Sequence, residues 1–307
     1  MKQFFFVMAA MMASTITLAQ QTDNAADSLL NSISKDSSKE QVVIFKSSRM
    51  VLAQSSETVK KKNLNFLVIH RFGDFAGQQG GGRTYFGLDA VNDVYLGLEY
   101  GLTDDFNIDI GRSTIGGLAD LELKYALVHQ TTNGGSPIAV TAIGEAGVRP
   151  YGTIFTTVDS RLSYFGQLIL ARKFSPGLSV QVAPSYVRDN TPIPFVAGNE
   201  ENFFALSGTA RIKISRSAGL ILDYAHPFSS FRTGANGFSD PFGVGFEIET
   251  GGHVFTMNIT NARAINEINY LSNTQADYGR GQYRLGFTIS RMFDFNGHHK
   301  KHRAENK

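Results

Sequence analysis

The 307-residue chain has no cysteine and no tryptophan, and its charge is thin, with Asp, Glu, Lys and Arg together making up 18%. Without cysteine there is no disulfide framework, thiolate metal site, cysteine nucleophile or lipid anchor on an amino-terminal cysteine. The 29 Lys and Arg against 27 Asp and Glu leave a formal charge of +2. These charges are scattered, so the chain has no basic footprint for nucleic acid. No apolar run approaches the roughly 20 residues of a spanning helix. Any membrane span must therefore be built from strands. What the chain does have is 42% apolar residues, 31 glycines, 24 phenylalanines and 11 tyrosines. That is enough for a core in one large domain or two small ones.

The amino terminus reads as a targeting segment. Lys2 supplies a positive start, residues 4–12 (FFFVMAAMM) form a short apolar stretch, and Thr17-Leu18-Ala19 ends in a small residue. Residues 1–19 are expected to be a signal peptide cleaved after Ala19, which exports the mature protein. Residues 20–43 are rich in Ser, Asp, Asn, Lys and Gln, with one apolar cluster at Leu29, Leu30 and Ile33. So few apolar groups cannot offset the entropy of ordering, and a disordered periplasmic linker is expected there.

From Asn63 onward the apolar period is two. Val94, Leu96, Leu98 and Tyr100 alternate with Asp93, Tyr95, Gly97 and Glu99, and Ile108 and Ile110 alternate with Asn107 and Asp109. Leu121, Leu123, Tyr125 and Leu127 alternate with Asp120, Glu122, Lys124 and Ala126. The pattern recurs where Leu178, Val180 and Val182 oppose Ser179 and Gln181, and where Ile212 and Ile214 oppose Arg211 and Lys213. It returns where Phe242, Val244, Phe246 and Ile248 oppose Gly243, Gly245, Glu247 and Glu249. About twelve such segments fit before residue 295, an even number that suits a bacterial barrel.

Alternation also fits a soluble sheet with one wet face, so connector lengths must decide. Links near residues 101–105, 129–137, 175–177, 216–217 and 251–252 are tight. Those near 73–90, 149–160, 188–202, 227–240 and 261–281 are long, with 112–118 the exception. Tight and long links alternate, which puts short turns and both termini on one rim and long loops on the other. The fold class is all-β: an antiparallel transmembrane up-and-down β-barrel of about 12 strands, with short periplasmic turns and longer extracellular loops. It spans residues 63–295 and is followed by a basic periplasmic tail, residues 296–307.

Energy assigns the faces. A Lys or Arg facing lipid at the bilayer midplane costs about 2–4 kcal/mol, so the apolar face meets lipid and the charges point inward. The expected lumen-lining residues are Asp93, Glu99, Asp109, Asp120, Glu122, Lys124, Arg211, Lys213, Glu247, Glu249 and Arg284. Tyr100, Tyr125, Tyr164, Tyr186, Tyr224 and Phe228 fall near strand ends, where an aromatic girdle belongs.

A series of motifs follows in order: Phe45-Lys46-Ser47-Ser48-Arg49, Ser56-Glu57-Thr58, His70-Arg71-Phe72-Gly73, Ile110-Gly111-Arg112-Ser113, residues 248–255 (IETGGHVF, containing Gly251, Gly252 and His253) and residues 286–293 (GFTISRMF). In these the chain resembles an uncharacterised domain-of-unknown-function family of Gram-negative outer-membrane β-barrel proteins. The resemblance implies fold and location and brings no activity with it. Residues 44–62 precede the regular strands and are expected to pack on or in the barrel, with a thirteenth or edge strand as the alternative.

Chemical motifs are sparse. Gly77-Gln78-Gln79-Gly80-Gly81-Gly82-Arg83-Thr84 has the outline of a phosphate-binding loop, but Arg83 stands where Lys is required, so it reads as a glycine loop. His298, His299 and His302 read as a solvated basic tail, and no metal is assigned. His226-Pro227-Phe228-Ser229-Ser230 brings Ser and His into one outer loop, without the spacing of a working nucleophile and base. His70 and His253 read as interfacial or turn residues. No enzyme activity and no cofactor are expected. The acid-biased lumen fits a passive, porin-like channel or transporter for small polar solutes or ions. Two alternatives stay open: an anchoring barrel that binds a periplasmic protein partner through its loops or tails, and an outer-membrane hydrolase. Outer-membrane lipid is the expected surroundings, and nucleic acid is not an expected partner.

Overall fold

The computed structural model of the protein describes residues 40–132, 134–191 and 200–295. The expected signal peptide, most of the expected linker and the histidine-containing tail lie outside the described residues. Twelve antiparallel strands form a closed barrel in sequence order, with the first paired to the last. They are β1 (Asn63–Asp74), β2 (Val91–Gly101), β3 (Phe106–Ser113), β4 (Ala119–Val128), β5 (Ala139–Val148), β6 (Leu162–Ser175), β7 (Leu178–Asp189), β8 (Asn202–Lys213), β9 (Ala218–Phe228), β10 (Phe242–Thr250), β11 (His253–Thr260) and β12 (Arg284–Asp294).

Each strand forms because its apolar residues recur at every second position, and burial follows that period. On β2, Asp93, Tyr95 and Glu99 are buried inward, while Leu96, Leu98 and Tyr100 are exposed outward. The six expected girdle aromatics are all exposed on the outer face. Closure leaves no sheet edge, so the backbone polar groups of the span are paired without water. The connectors at 102–105, 176–177, 214–217 and 251–252 make one rim of short turns. Gly251 (φ 43°) and Gly252 (φ 96°) form a two-residue turn in the left-handed region, which a β-carbon would strain. Longer segments, including 75–90, 149–161, 229–241 and 261–283, stand at the other rim. The glycine loop at 77–84 lies in the first of these and leads into a 3-10 turn, Gly81–Gly87, rather than the helix that a phosphate loop requires.

Two segments fill the interior. Residues 41–59 fold as a hairpin into the barrel and add no strand to the sheet; their only ladder contacts are isolated bridges, Gln41 to Thr131 and Arg49 to Gln54. The β11–β12 connector folds inward from the long-loop rim and carries a short helix, α1 (Glu267–Ser272), every residue of which is buried. Asn266 caps α1, its side chain accepting from the Ile268 amide.

The inner wall is not uniformly polar. On β6–β9, Phe165, Ile169, Ala171, Ala183, Val187, Phe203, Ala205, Ile221 and Ala225 point inward and are buried. They join Ile44, Phe45 and Leu52 of the hairpin and Leu271 of α1 in one apolar cluster. The inner face of these strands is thus mixed, with this apolar patch beside polar wall groups such as Gln181, Thr209 and Asp223.

Candidate functional site

The site is the lumen and the hairpin that closes it. The hairpin enters beside the β4–β5 turn, where the Val42 amide donates to Gln130 O at 2.8 Å. It reverses over residues 50–53, with the Met50 amide donating to Ala53 O at 2.9 Å. It leaves beside the β2–β3 turn, where Thr58 Oγ1 donates to Asp104 O at 2.8 Å. Both ends are therefore at the short-turn rim. At the base, Glu57 Oε1 accepts from the amides of Ile44 and Phe45 at 2.9 and 3.2 Å, and burial pushes this carboxyl above the usual carboxylate range.

The wall grips the tip through polar groups. Asp223 Oδ2 accepts from the amides of Val51, Leu52 and Ala53 at 2.8, 2.7 and 3.3 Å. Arg71 Nη2 donates to Val51 O at 2.7 Å, Gln181 Nε2 to Gln54 O at 2.6 Å, and Gln54 Nε2 to Glu122. Gly243 and Gly245 are small because Val51 fills the space beside them: a β-carbon there would lie 2.5 Å from a Val51 methyl.

The two inserted segments meet at mid-lumen. Arg49 Nη1 lies 3.1 and 3.0 Å from the two carboxylate oxygens of Glu267, with both side chains almost fully buried, and its guanidinium sits 5.1 Å from the Tyr95 ring centroid. Burial raises the Glu267 carboxyl above its ordinary value and Arg49 opposes that shift. The folded-in connector is held by Asp93, which accepts from the Ile265 amide at 3.0 Å, by Glu145, which accepts from Asn266 at 2.7 Å, and by Arg149, which donates to Asn269 at 2.7 Å. Pockets remain on either side of the closure. One is lined by Arg149, Asp189, Asn269 and Ser272 and the other by Lys46, Ser48, Glu57 and Asn65.

A family model described as a membrane bound beta barrel domain (DUF5777) matches residues 45–293. The chain belongs to this family. The match starts inside the hairpin, so the closure is part of the membrane-bound barrel domain rather than a linker attached to it. No curated protein matches the chain by sequence. Among solved structures it is similar to an outer membrane channel from Pseudomonas putida F1, with 12% identity, 80% of this chain and 100% of that one covered, and a TM-score of 0.50. The NanC porin matches with 11% identity, 76% and 100% coverage and a TM-score of 0.47. At these identities the likeness is one of fold.

The family-motif residues divide by face. Phe45, Lys46, Arg49 and Glu57 belong to the hairpin, and Lys46 pairs with Glu249 at 2.8 Å. Arg71 is fully buried in the lumen. His70 faces outward, 5.4 Å from the Phe287 ring and parallel to it, and His253 stacks on Phe255 at 5.7 Å. Gly111 is needed because the Tyr95 hydroxyl would lie 1.9 Å from a β-carbon there. Arg112 is exposed and packs over the Tyr151 ring at 5.2 Å.

Of the expected lining residues, Asp93, Glu99, Asp109, Asp120, Glu122, Lys124, Arg211, Glu247 and Arg284 are buried inward. Arg211 pairs with Glu247 at 2.7 Å, and Arg284 with Asp74 at 2.5 Å. Glu249 is partly exposed against Lys46, and Lys213 is exposed at the short-turn rim. Glu145, Asp223 and Glu267, which hold the inserted segments, were not among the expected residues. In the outer loop, Ser229 Oγ donates to Glu200 at 2.5 Å while His226 Nδ1 contacts Asp240 at 2.9 Å, so serine and histidine do not form a nucleophile and base pair. Among the described residues no three Asp, Glu or His side chains converge as a metal site.

Proposed function

We propose that the protein is a gated outer-membrane channel for small polar solutes or ions, exported by a signal peptide cleaved after Ala19, with its short-turn rim facing the periplasm. The observation that carries this reading is the path of the hairpin. Both of its ends lie at one rim, so residues 41–59 can withdraw without threading through the barrel. Its tip is held by polar groups of Asp223, Arg71, Gln181 and Glu122, which water can satisfy once it leaves. The wall behind it on β1–β5 carries Asn65, Arg71, Asp93, Glu99, Asp109, Glu122 and Glu145, the lining of an aqueous path rather than a fatty core.

An anchoring barrel with a permanent core is the second reading, favoured by the apolar seat of Ile44, Phe45 and Leu52 against β6–β9. Planar-bilayer recording separates the two. The mature full chain is expected to show gated current steps, and a variant without residues 41–59 is expected to stay open longer. Silence from both, with folding verified by heat-modifiable gel mobility, would favour the anchoring barrel.

A further inference from the structure

Strand register sets four carboxylates side by side. Glu99 on β2 lies opposite Asp109 on β3, Asp109 opposite Glu122 on β4, and Glu122 opposite Glu145 on β5. All four point into the lumen, and none is more than 7% exposed. Residues paired in this way hold their β-carbons roughly 4.5–5.5 Å apart, and like charges so placed repel.

Counter-charge is scarce around the row. None of the four forms an ion pair with Lys, Arg or His among the described residues. Arg49 is committed to Glu267, Arg211 to Glu247, and Lys124 reaches Gln54 Oε1 at 3.4 Å. The donors that the row does have are neutral: Ser48 and Asn65 on Glu99, Gln54 on Glu122 and Asn266 on Glu145. Two of these, Ser48 and Gln54, belong to the hairpin and would leave with it, and Asn266 belongs to the folded-in connector.

A separate observation points the same way. Neither oxygen of Asp109 has a donor, and Oε2 of Glu145 has none. Beside the row on the same inward face, Asn107 is fully buried with neither amide atom partnered. A buried carboxylate without a donor or cation takes up a proton or draws positive charge from elsewhere, so a cation entering the lumen is favoured beside this row. Because no three such groups converge on one point, the row is a ladder and not a cage for a resident metal. A ladder of weak oxygen sites is what conduction needs, since a permeant ion must bind well enough to enter and loosely enough to leave.

We infer that the row Glu99, Asp109, Glu122 and Glu145 is the selectivity element of the channel and that its permeant class is small monovalent cations. This rests on the channel reading above. The test is the reversal potential of the mature full chain in a planar bilayer under a potassium chloride gradient. It compares wild type with Asp109→Asn, Glu145→Gln and the outer-loop control Asp277→Asn, each verified as folded by heat-modifiable mobility. Potassium is expected to be preferred over chloride. The preference should fall by roughly fivefold to sixfold in each row variant, since one unit charge at about 8 Å in water shifts potassium and chloride by about twofold to threefold each in opposite directions, and stay unchanged in the control. Current without cation preference, or a preference that neither row variant lowers, overturns the inference and leaves the channel standing. No current from folded full chain or from the variant without residues 41–59 overturns the channel reading itself.

Discussion

Replacing Arg49 by alanine removes the one ion pair that joins the hairpin to the folded-in connector. Glu267 is then fully buried without the guanidinium that lay 3.0 Å from it. Breaking a buried pair from one side costs about 3–5 kcal/mol, because the remaining charge is left uncompensated. Loss of the Arg49 contact with the Tyr95 ring adds to that cost. At about 1.4 kcal/mol per tenfold, the ratio of seated to withdrawn hairpin should fall by roughly two to three and a half orders of magnitude. Hydrogen exchange at the amides of Val51, Leu52 and Ala53, which donate to Asp223, reads this directly. Those amides should exchange faster by that factor, and open probability should rise with them. The double variant Arg49→Met with Glu267→Met should recover slow exchange, since an apolar pair of similar volume carries no unpaired charge. Exchange as slow in Arg49→Ala as in the native protein would refute the claim that this pair latches the two segments.

Three further outcomes follow from the same geometry. Gly245→Ala puts a methyl 2.5 Å from Val51 Cγ2, and overpacking of this kind costs about 1–3 kcal/mol, so proteolysis within residues 41–59 should accelerate. Leu121→Arg, on the outer face of β4, should destabilise the barrel in lipid by about 2–4 kcal/mol if it sits at the midplane; a denaturant titration in bilayers checks this, and no change would deny that this face meets lipid. The hydrogen bond from Ser229 holds the Glu200 carboxyl below its ordinary range. A lowered carboxyl contributes stability that is present above the unfolded value and lost as pH falls through the folded one. The Phe231 amide should therefore lose exchange protection as pH falls below the ordinary carboxylate range, with no such step in Glu200→Gln.

The barrel was legible because β2, β3 and β4 carry charge on one face and apolar groups on the other, and because tight and long connectors alternate. Those signals are local. The apolar inner wall was not legible: on β9 the run Leu220, Ile221 and Leu222 hides the period, and Ile221, inward by alternation, is covered there by the cluster that the hairpin joins. Asp223, next in the chain, has its role through amides about 170 residues earlier, from Val51 to Ala53. Glu267 sits in a connector that reads as an outer loop, and its partner Arg49 lies 218 positions away. Glu145 lies among small residues on β5 and gains meaning only through its register with Glu122. Gly111 likewise answers to the Tyr95 hydroxyl on the neighbouring strand.

The central claim is that withdrawal of the hairpin opens the lumen, and a reversible lock tests it most directly. The native chain has no cysteine, so a pair introduced as Val51→Cys with Gly243→Cys supplies the only thiols. A β-carbon at 243 lies 3.4 Å from Val51 Cβ, close to the roughly 3.5–4.5 Å of a disulfide. Single-channel recording of this variant should show no current when oxidised and gated steps after reduction in the same bilayer. Equal current in both states would contradict the account, because the lumen would then conduct with the hairpin in place.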